Sequence, residues 1–423
     1  MKILVIGSGG REHALCRAFN SSKNVGRIYC AEGNAGIAQI AECVNIKPDE
    51  IGRLADFAEE NQIDLTFVGV ETSLALGIVD EFEKRNLKIV GAGKKAARLE
   101  SSKAFAKDFM ARHNIPTACY ETANSPGEAI EILRSGRFGD AQTAVVVKAD
   151  GLAAGKGVVV AENREQAEQA VKELDDLVGK TAAAKIVLEE CLTGGEVSLL
   201  LFADGKNFAP MPPARDHKRI GENDTGANTG GMGVITDAGL LTAEQTAEVV
   251  EKIIKPTLDG ARLDGFEFRG VLFVGLMLTT GGIKVLEYNV RFGDPETQAI
   301  LVRLETDFVE ICQAILNQTL DKLFIKWKKG SSACVILASR GYPQKPQTGK
   351  IINGLQAAES NENTFIFHGG TAKNETDEFI TSGGRVLGIT VAAENLRDAL
   401  KNAYRAVDEI SFEGMQYRRD IGK

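Results

Sequence analysis

The order of the opening elements constrains this chain most. Short apolar runs, "KILVIG", "RIYCAE", "DLTFVG" and "KIVGAG", alternate with helical patterns such as "REHALCRAF" and "IGRLADFAEENQ". Such alternation implies a parallel sheet covered by helices on both faces, with binding loops at the carboxyl ends of the strands. Two of those loops carry polar groups: "GSGGREH" after the first run and "VGVETS", with Glu71, after the third.

The first loop poses a choice. A dinucleotide fingerprint reads G-x-G-x-x-G, its third glycine allowing close packing of helix on strand. Gly7 and Gly9 fit, but the third position is Glu12. Glu32 stands about where a ribose-binding carboxylate would. A nicotinamide cofactor is therefore one reading, to be decided by the rest of the chain.

At 423 residues the chain is long enough for about three domains. A formal charge of -8 argues against nucleic acid as a bulk partner. Seven cysteines, odd in number and without a C-x-x-C pair, fit a reduced cytoplasmic chain lacking a structural zinc site. No apolar run approaches the ~20 residues of a membrane span, and the chain opens on a strand rather than a signal peptide. No membrane partner is expected.

After residue 101 the pattern changes. "SKAFAKDFMARHNIPTA" is an amphipathic helix that stops before Pro116. "TAVVVKADGLAAGKGVVVAEN" reads strand, glycine loop, strand; a helix and the strand "KIVLEECL" follow, as in a small α+β lid. "EVSLLLFADG" and "FAPMPPARDHKRI" read as antiparallel strands, and "GENDTGANTGGMG" as a long polar loop of the kind that is usually functional or disordered. "VLFVGLMLTTGGIKVLEYNVRF" is a hairpin closed around Gly281-Gly282. The last hundred or so residues are β-rich. The expected division is 1–101, 102–324 with a lid at about 122–188, and 325–423.

Chemistry concentrates in "KVLEYNVRFGDPE". Alternation along a strand places Glu287, Asn289 and Arg291 on one face and Leu286, Tyr288 and Val290 on the other. A carboxylate and an amide oxygen suit Mg²⁺, which completes its shell with water and phosphates. The adjacent arginine is placed to neutralise a transferring phosphoryl group. The bland alternative is an exposed solvent face, which Asp294 and Glu296 just beyond make less attractive. In "VVVKADGLAAGKG", Lys148 precedes Gly151, Gly155, Lys156 and Gly157. A Walker loop needs G-x-x-x-x-G-K-[ST] leading into a helix. This segment misses that spacing and leads into a strand, so it is a phosphate-binding hairpin or an ordinary one. Glu189, Glu190 and Glu196 surround a strand end, and His217 and Lys218 form either a basic patch or a surface turn.

Together these segments resemble the ATP-grasp carboxylate–amine ligases, and most closely the glycinamide ribonucleotide synthetases, from end to end. The resemblance rests on "GSGGREHAL", "SKAFAKDFMARHNIPTA", "VVKADGLAAGKGV", "DHKRIGENDTGANTGGMG", "GVLFVGLML", "EYNVRFGDPETQ" and "GGRVLG". Arg215 and Ala227 stand where the family usually has glutamine and proline, and "VGVETS" departs from the usual Gly-Pro-Glu.

The resemblance implies an α/β ATP-grasp fold with an N-terminal Rossmann-like domain that holds the amine substrate, not a dinucleotide, and a β-rich C-terminal domain. It implies ATP-dependent joining of glycine to 5-phosphoribosylamine through glycyl phosphate, with Mg²⁺ or Mn²⁺, in a monomer or weak homodimer. Lys103, Lys148, Gly151, Gly155, Lys156 and Gly157 would meet ATP. Glu189 and Leu192 would bind adenine through the backbone, with Glu196 on the ribose. Glu287 and Asn289 would hold the metal; "VLFVGLML" adds no further carboxylate. Arg291 and Asp294 would be catalytic. Gly9, Gly10, Glu71, Asp216, Lys218, Gly230 and Gly231 would bind substrate, and Lys373 and Arg385 the 5′-phosphate. Other readings are a bicarbonate-using ATP-grasp enzyme and a non-catalytic nucleotide-binding module.

Overall fold

The computed structural model describes residues 1–152, 157–179 and 183–423. The opening alternation folds as expected. Strands β1 (Lys2–Gly7), β2 (Arg27–Glu32), β3 (Glu42–Val44), β4 (Leu65–Val68) and β5 (Ile89–Val90) form one parallel sheet in the order β3-β2-β1-β4-β5. Ile3, Leu4, Val5 and Ile6 of β1 are all fully buried, because helices cover both faces. The short β3 has no apolar run, and the sequence pattern missed it.

A second, antiparallel sheet lies where a lid is expected, from Tyr120 to Glu190. It contains β6 (Tyr120–Ala123), β7 (Val145–Ala149), β8 (Val158–Ala161) and β9 (Ile186–Glu190), ordered β6-β9-β7-β8. The apolar stripe of helix Arg164–Val178 packs Ala167, Val171 and Leu174 against it.

The third sheet is built from β10 (Gly195–Asp204), β11 (Phe208–Pro210), β12 (Ala214–Asp216), β15 (Gly233–Thr236), β16 (Arg269–Thr279), β17 (Gly282–Asn289), β18 (Ser331–Ala338), β19 (Thr364–His368) and β22 (Arg385–Ala393). Its main path runs β17-β16-β10-β12-β15-β18-β22-β19. The C-terminal strands therefore continue the central sheet instead of forming a sheet of their own. The polar segment after His217 is partly ordered as a hairpin of β13 (Arg219–Gly221) and β14 (Thr225–Asn228). A last hairpin pairs β20 (Thr371–Lys373) with β21 (Phe379–Thr381).

One continuous core joins the first sheet to the third, running from Leu4 and Ile6 through Val68 and Phe109 to Leu199, Leu272 and Val285. The first β–α loop thereby faces the end of β17. Asn34 ties it to the C-terminal strands: its Nδ2 donates to Ser8 O at 2.7 Å and to His368 O at 2.8 Å.

Candidate active site

The glycine loop is already filled. Glu12 curls back over the first turn of helix Gly10–Asn20, and its Oε2 accepts the Gly9 N–H at 2.7 Å. The buried Arg11 neutralises it, with Nε 2.6 Å from Glu12 Oε1. A Cβ at Gly7 or Gly69 would collide with the Glu12 side chain, so both positions need glycine. A helix N-terminus binds pyrophosphate through free N–H groups and its dipole. Here the chain's own carboxylate occupies that place, which removes the basis for a dinucleotide reading.

Gly9 and Gly10 instead border a cleft of about 210 Å³ that also takes in Asp294, Gln298, Gly370 and Arg385. Arg385 Nη2 lies 3.0 Å from Asp294 Oδ2, and its Nη1 donates to Asp294 O at 2.7 Å and to Gly230 O. Gln298 Nε2 donates to Asp294 Oδ1 at 2.8 Å. Burial pushes the Asp294 carboxyl up, but Arg385 and Arg11 outweigh it and hold it below the usual range. Gly231, at φ +108°, lets the backbone pass against Asp216 and Pro295. Asp216 is pushed well above the ordinary carboxylate range, by burial first and by the Glu296 carboxylate next.

Lys373 does not join Arg385. It projects from the β20–β21 hairpin, 2.7 Å from Asp377 Oδ1 and over the Phe379 ring. A cation four residues from an exposed carboxylate on a tight hairpin finds its partner locally, and the cleft has one cation where two were expected.

At the junction of lid and central sheet, Lys103 Nζ donates to Gly151 O at 2.9 Å. Lys148 Nζ lies 2.7 Å from Glu189 Oε1 and donates to Leu286 O at 3.3 Å. Glu287 follows directly. Burial pushes its carboxyl up, yet Lys218, Lys148, Lys103 and Arg291 together hold it below its ordinary value. Lys218 also pairs with Glu196 at 3.0 Å. Gly157 closes the β7–β8 end, its carbonyl accepting the Ala149 N–H at 2.8 Å, while Gly155 and Lys156 lie outside the described residues.

Glu189 sits inside β9, paired to Tyr120 on one side and Val146 on the other, and its carboxylate is buried between Lys107 and Lys148. Its backbone belongs to the ladder. Leu192, past the strand end, has an N–H without a partner among the described residues.

Arg291 is clamped between two carboxylates. Its Nη2 is 2.7 Å from Glu100 Oε1 and its Nε is 3.2 Å from Glu71 Oε2. Burial pushes Glu71 up, but Arg291 and Arg11 overcome it and hold the carboxyl at about 2. Glu100 and Lys107 were missed by sequence reasoning. The available signal was the helix register: Lys107 is one turn beyond Lys103, on the same helix face.

Among the described residues no three His, Cys, Asp or Glu side chains converge as a metal cage. Glu287 and Asn289 offer two oxygen ligands beside a cluster of cations. That donor set fits a hard divalent cation that takes its remaining ligands from phosphates and water.

Three family profiles cover nearly the whole chain: the phosphoribosylglycinamide synthetase N domain over residues 1–100, its ATP-grasp (A) domain over 101–297 and its C domain over 332–423. The chain is 46% identical to a phosphoribosylamine–glycine ligase of Caldanaerobacter subterraneus subsp. tengcongensis, covering 100% of this chain and 99% of that protein. It is 44% identical to the ligase of Clostridium acetobutylicum, with 100% of both covered. Among solved structures, the phosphoribosylamine–glycine ligase of Thermotoga maritima superposes with a TM-score of 0.85 at 31% identity, over 99% of this chain and 100% of that one. The biotin carboxylase domain of Hydrogenobacter thermophilus 2-oxoglutarate carboxylase, solved with MgADP, ADP and bicarbonate, superposes with a TM-score of 0.74 over 98% of this chain and 91% of that one. At 16% identity that likeness shows the ATP-grasp fold alone.

Proposed function

The chain belongs to the phosphoribosylglycinamide synthetase family, and from that premise we propose how its residues divide the work. The reaction is ATP-dependent ligation of glycine to 5-phosphoribosylamine, a step of purine biosynthesis. The observation that carries the assignment of the site is the position of Glu287: a strand-borne carboxylate facing Lys103, Lys148, Lys218 and Arg291 where lid and central sheet meet.

ATP lies in this cluster. Lys148 and Lys103 meet its phosphates, Leu192 its adenine and Glu196 its ribose. Glu287 and Asn289 hold the divalent cation, Mg²⁺ or Mn²⁺, which when bound screens the charge of the phosphate oxygens. A glycine carboxylate oxygen attacks the γ-phosphorus, and ADP leaves. The amine of phosphoribosylamine then attacks the acyl carbon of glycyl phosphate, the C–O bond breaks, and phosphate leaves with that glycine oxygen. The amine releases one proton. Glu71 and Glu100 fix the orientation of Arg291 through its Nε and Nη2, Arg11 shares the Glu71 charge at 4.0 Å, and the remaining Arg291 N–H groups are the donors offered to the transferring phosphoryl group. Arg385 meets the 5′-phosphate in the neighbouring cleft, where the Asp294 carboxylate orients its guanidinium.

Product analysis with ATP, glycine and freshly made phosphoribosylamine tests this reading. The expected result is glycinamide ribonucleotide, ADP and phosphate in equal amounts, with no product when glycine is omitted. ATP turnover that requires bicarbonate instead of glycine would contradict it. No helix among the described residues is long and apolar enough to cross a membrane.

A further inference from the structure

Lys107 lies one turn after Lys103 in helix Lys103–Arg112, and its side chain is 2% exposed. Its Nζ is 2.7 Å from Glu189 Oε2 and donates to Thr117 Oγ1 at 2.7 Å. Thr117 in turn donates to Val285 O, in β17, at 2.7 Å. The other Glu189 oxygen is 2.7 Å from Lys148 Nζ, and the Glu189 side chain is also 2% exposed. One buried carboxylate is thus shared by two lysines.

Two ammonium groups around one carboxylate leave a net charge of +1. With Lys148 alone, the same carboxylate would form a closed pair of net charge zero. In a low-dielectric site that difference is felt at short range, whereas water would screen it away. A buried pair is also costly to open once formed, so Lys148 would be drawn toward Glu189 and away from a ligand. Burial brings the Lys107 ammonium down to about 8, with Glu189 opposing the fall, so the lysine is mostly protonated at neutral pH.

We propose that Lys107 is a positioning residue for ATP. By occupying one oxygen of Glu189 it leaves Lys148 an uncancelled positive charge that faces the triphosphate. The inference rests on the reading that Lys148 meets the ATP phosphates, and the test separates the two.

KM for ATP is measured at saturating glycine and phosphoribosylamine in the full-length enzyme and in Lys107→Met, Glu189→Gln, Lys107→Met/Glu189→Gln and Lys148→Met. Lys107→Met should raise KM for ATP about tenfold, the scale of cancelling one charge next to a polyanion. KM for glycine should stay within about twofold, because only the nucleotide contact has changed. The double variant removes the carboxylate as well, frees Lys148 again, and should return KM for ATP to within about threefold of the parent enzyme. A double variant no better than Lys107→Met would make Lys107 a structural latch and overturn the proposal. If Lys107→Met fails to fold, Glu189→Gln decides: KM for ATP at or below the parent value supports the charge count, and a rise overturns it. An unchanged KM for ATP in Lys148→Met would instead remove Lys148 from the phosphate site, and the positioning role with it.

Discussion

The Glu100 carboxylate fixes Arg291 to the end of β17, the strand that carries Glu287 and Asn289. Its Oε1 lies 2.7 Å from Arg291 Nη2, and its Oε2 accepts the Val290 N–H at 2.8 Å. One side chain thus holds both the backbone just after β17 and the guanidinium that follows it. Arg291→Met should lower kcat at least ~100-fold, the scale of losing a preorganised transition-state charge donor. KM for ATP should change little. Glu100→Gln keeps the acceptor for Val290 but loses the charge, and a smaller fall of about tenfold in kcat is expected. Equal losses in ATP affinity and turnover for Arg291→Met would show that Arg291 binds the ground-state nucleotide.

Glu287→Gln should raise the Mg²⁺ concentration needed for half-maximal rate sharply, because the carboxylate of the proposed metal pair becomes a neutral amide. The cations that hold Glu287 ionised would remain, now repelling a second positive charge. A Mg²⁺ titration that superposes on that of the parent enzyme would remove Glu287 from the metal site.

The parts of this molecule legible in the sequence are those set by local pattern. The strand–helix order of the first hundred or so residues translates directly into geometry, and Glu287 and Asn289 keep their shared face, but a bulge at Leu286 takes that residue off the buried face of Val285 and Tyr288. The partners of those residues were not legible, because they come from distant segments. Glu100 reaches Arg291 across 191 positions, and Thr117 reaches Val285 across 168. Glu189 shows the limit from the other side. Glutamates around a strand end read as a solvated edge, but the Glu189 side chain points inward, where two buried lysines from distant segments claim its carboxylate. Lys373 lies outside the Arg385 cleft because its cation has a local partner, Asp377, that a motif comparison does not weigh.

The phosphate assignment now falls on Arg385 alone. Arg385→Gln should raise KM for phosphoribosylamine, and for glycinamide ribonucleotide in the reverse direction, by about tenfold or more. KM for ATP and glycine should stay within about twofold. Lys373→Ala should match the parent enzyme in both directions. The reverse assay avoids the unstable amine. A normal KM for glycinamide ribonucleotide in Arg385→Gln would move the phosphate site out of this cleft.

Acid stability should be governed by histidines before carboxylates. Burial holds His13 at about 3 and His217 and His368 at about 4. The geometry agrees: His13 Nδ1 accepts the His368 N–H at 2.9 Å, and His217 Nε2 accepts the Gly422 N–H at 3.1 Å. In the unfolded chain each titrates near 6.5. Between pH 6.5 and 4 the unfolded state therefore binds more protons than the folded state, and stability falls as pH falls. The three histidines contribute up to about 4 kcal/mol per pH unit when each differs by a full proton, and the buried Asp216 carboxyl, pushed up in the fold, offsets about 1.4 kcal/mol of that. Urea midpoints should drop steadily from pH 7 to pH 5. Midpoints that do not change over this range would show that the three rings are already protonated, or accessible, in the fold.

The central claim is that glycine is activated by phosphorylation at its carboxylate before the amine attacks. Glycine labelled with ¹⁸O in both carboxylate positions tests this most directly, with the released phosphate read by mass spectrometry during turnover with ATP and phosphoribosylamine. Attack of the carboxylate on the γ-phosphorus, followed by departure of phosphate from the acyl carbon, predicts one ¹⁸O in each phosphate and one retained in each glycinamide ribonucleotide. Phosphate free of label, with ADP still formed, would contradict a glycyl phosphate and the account built on it.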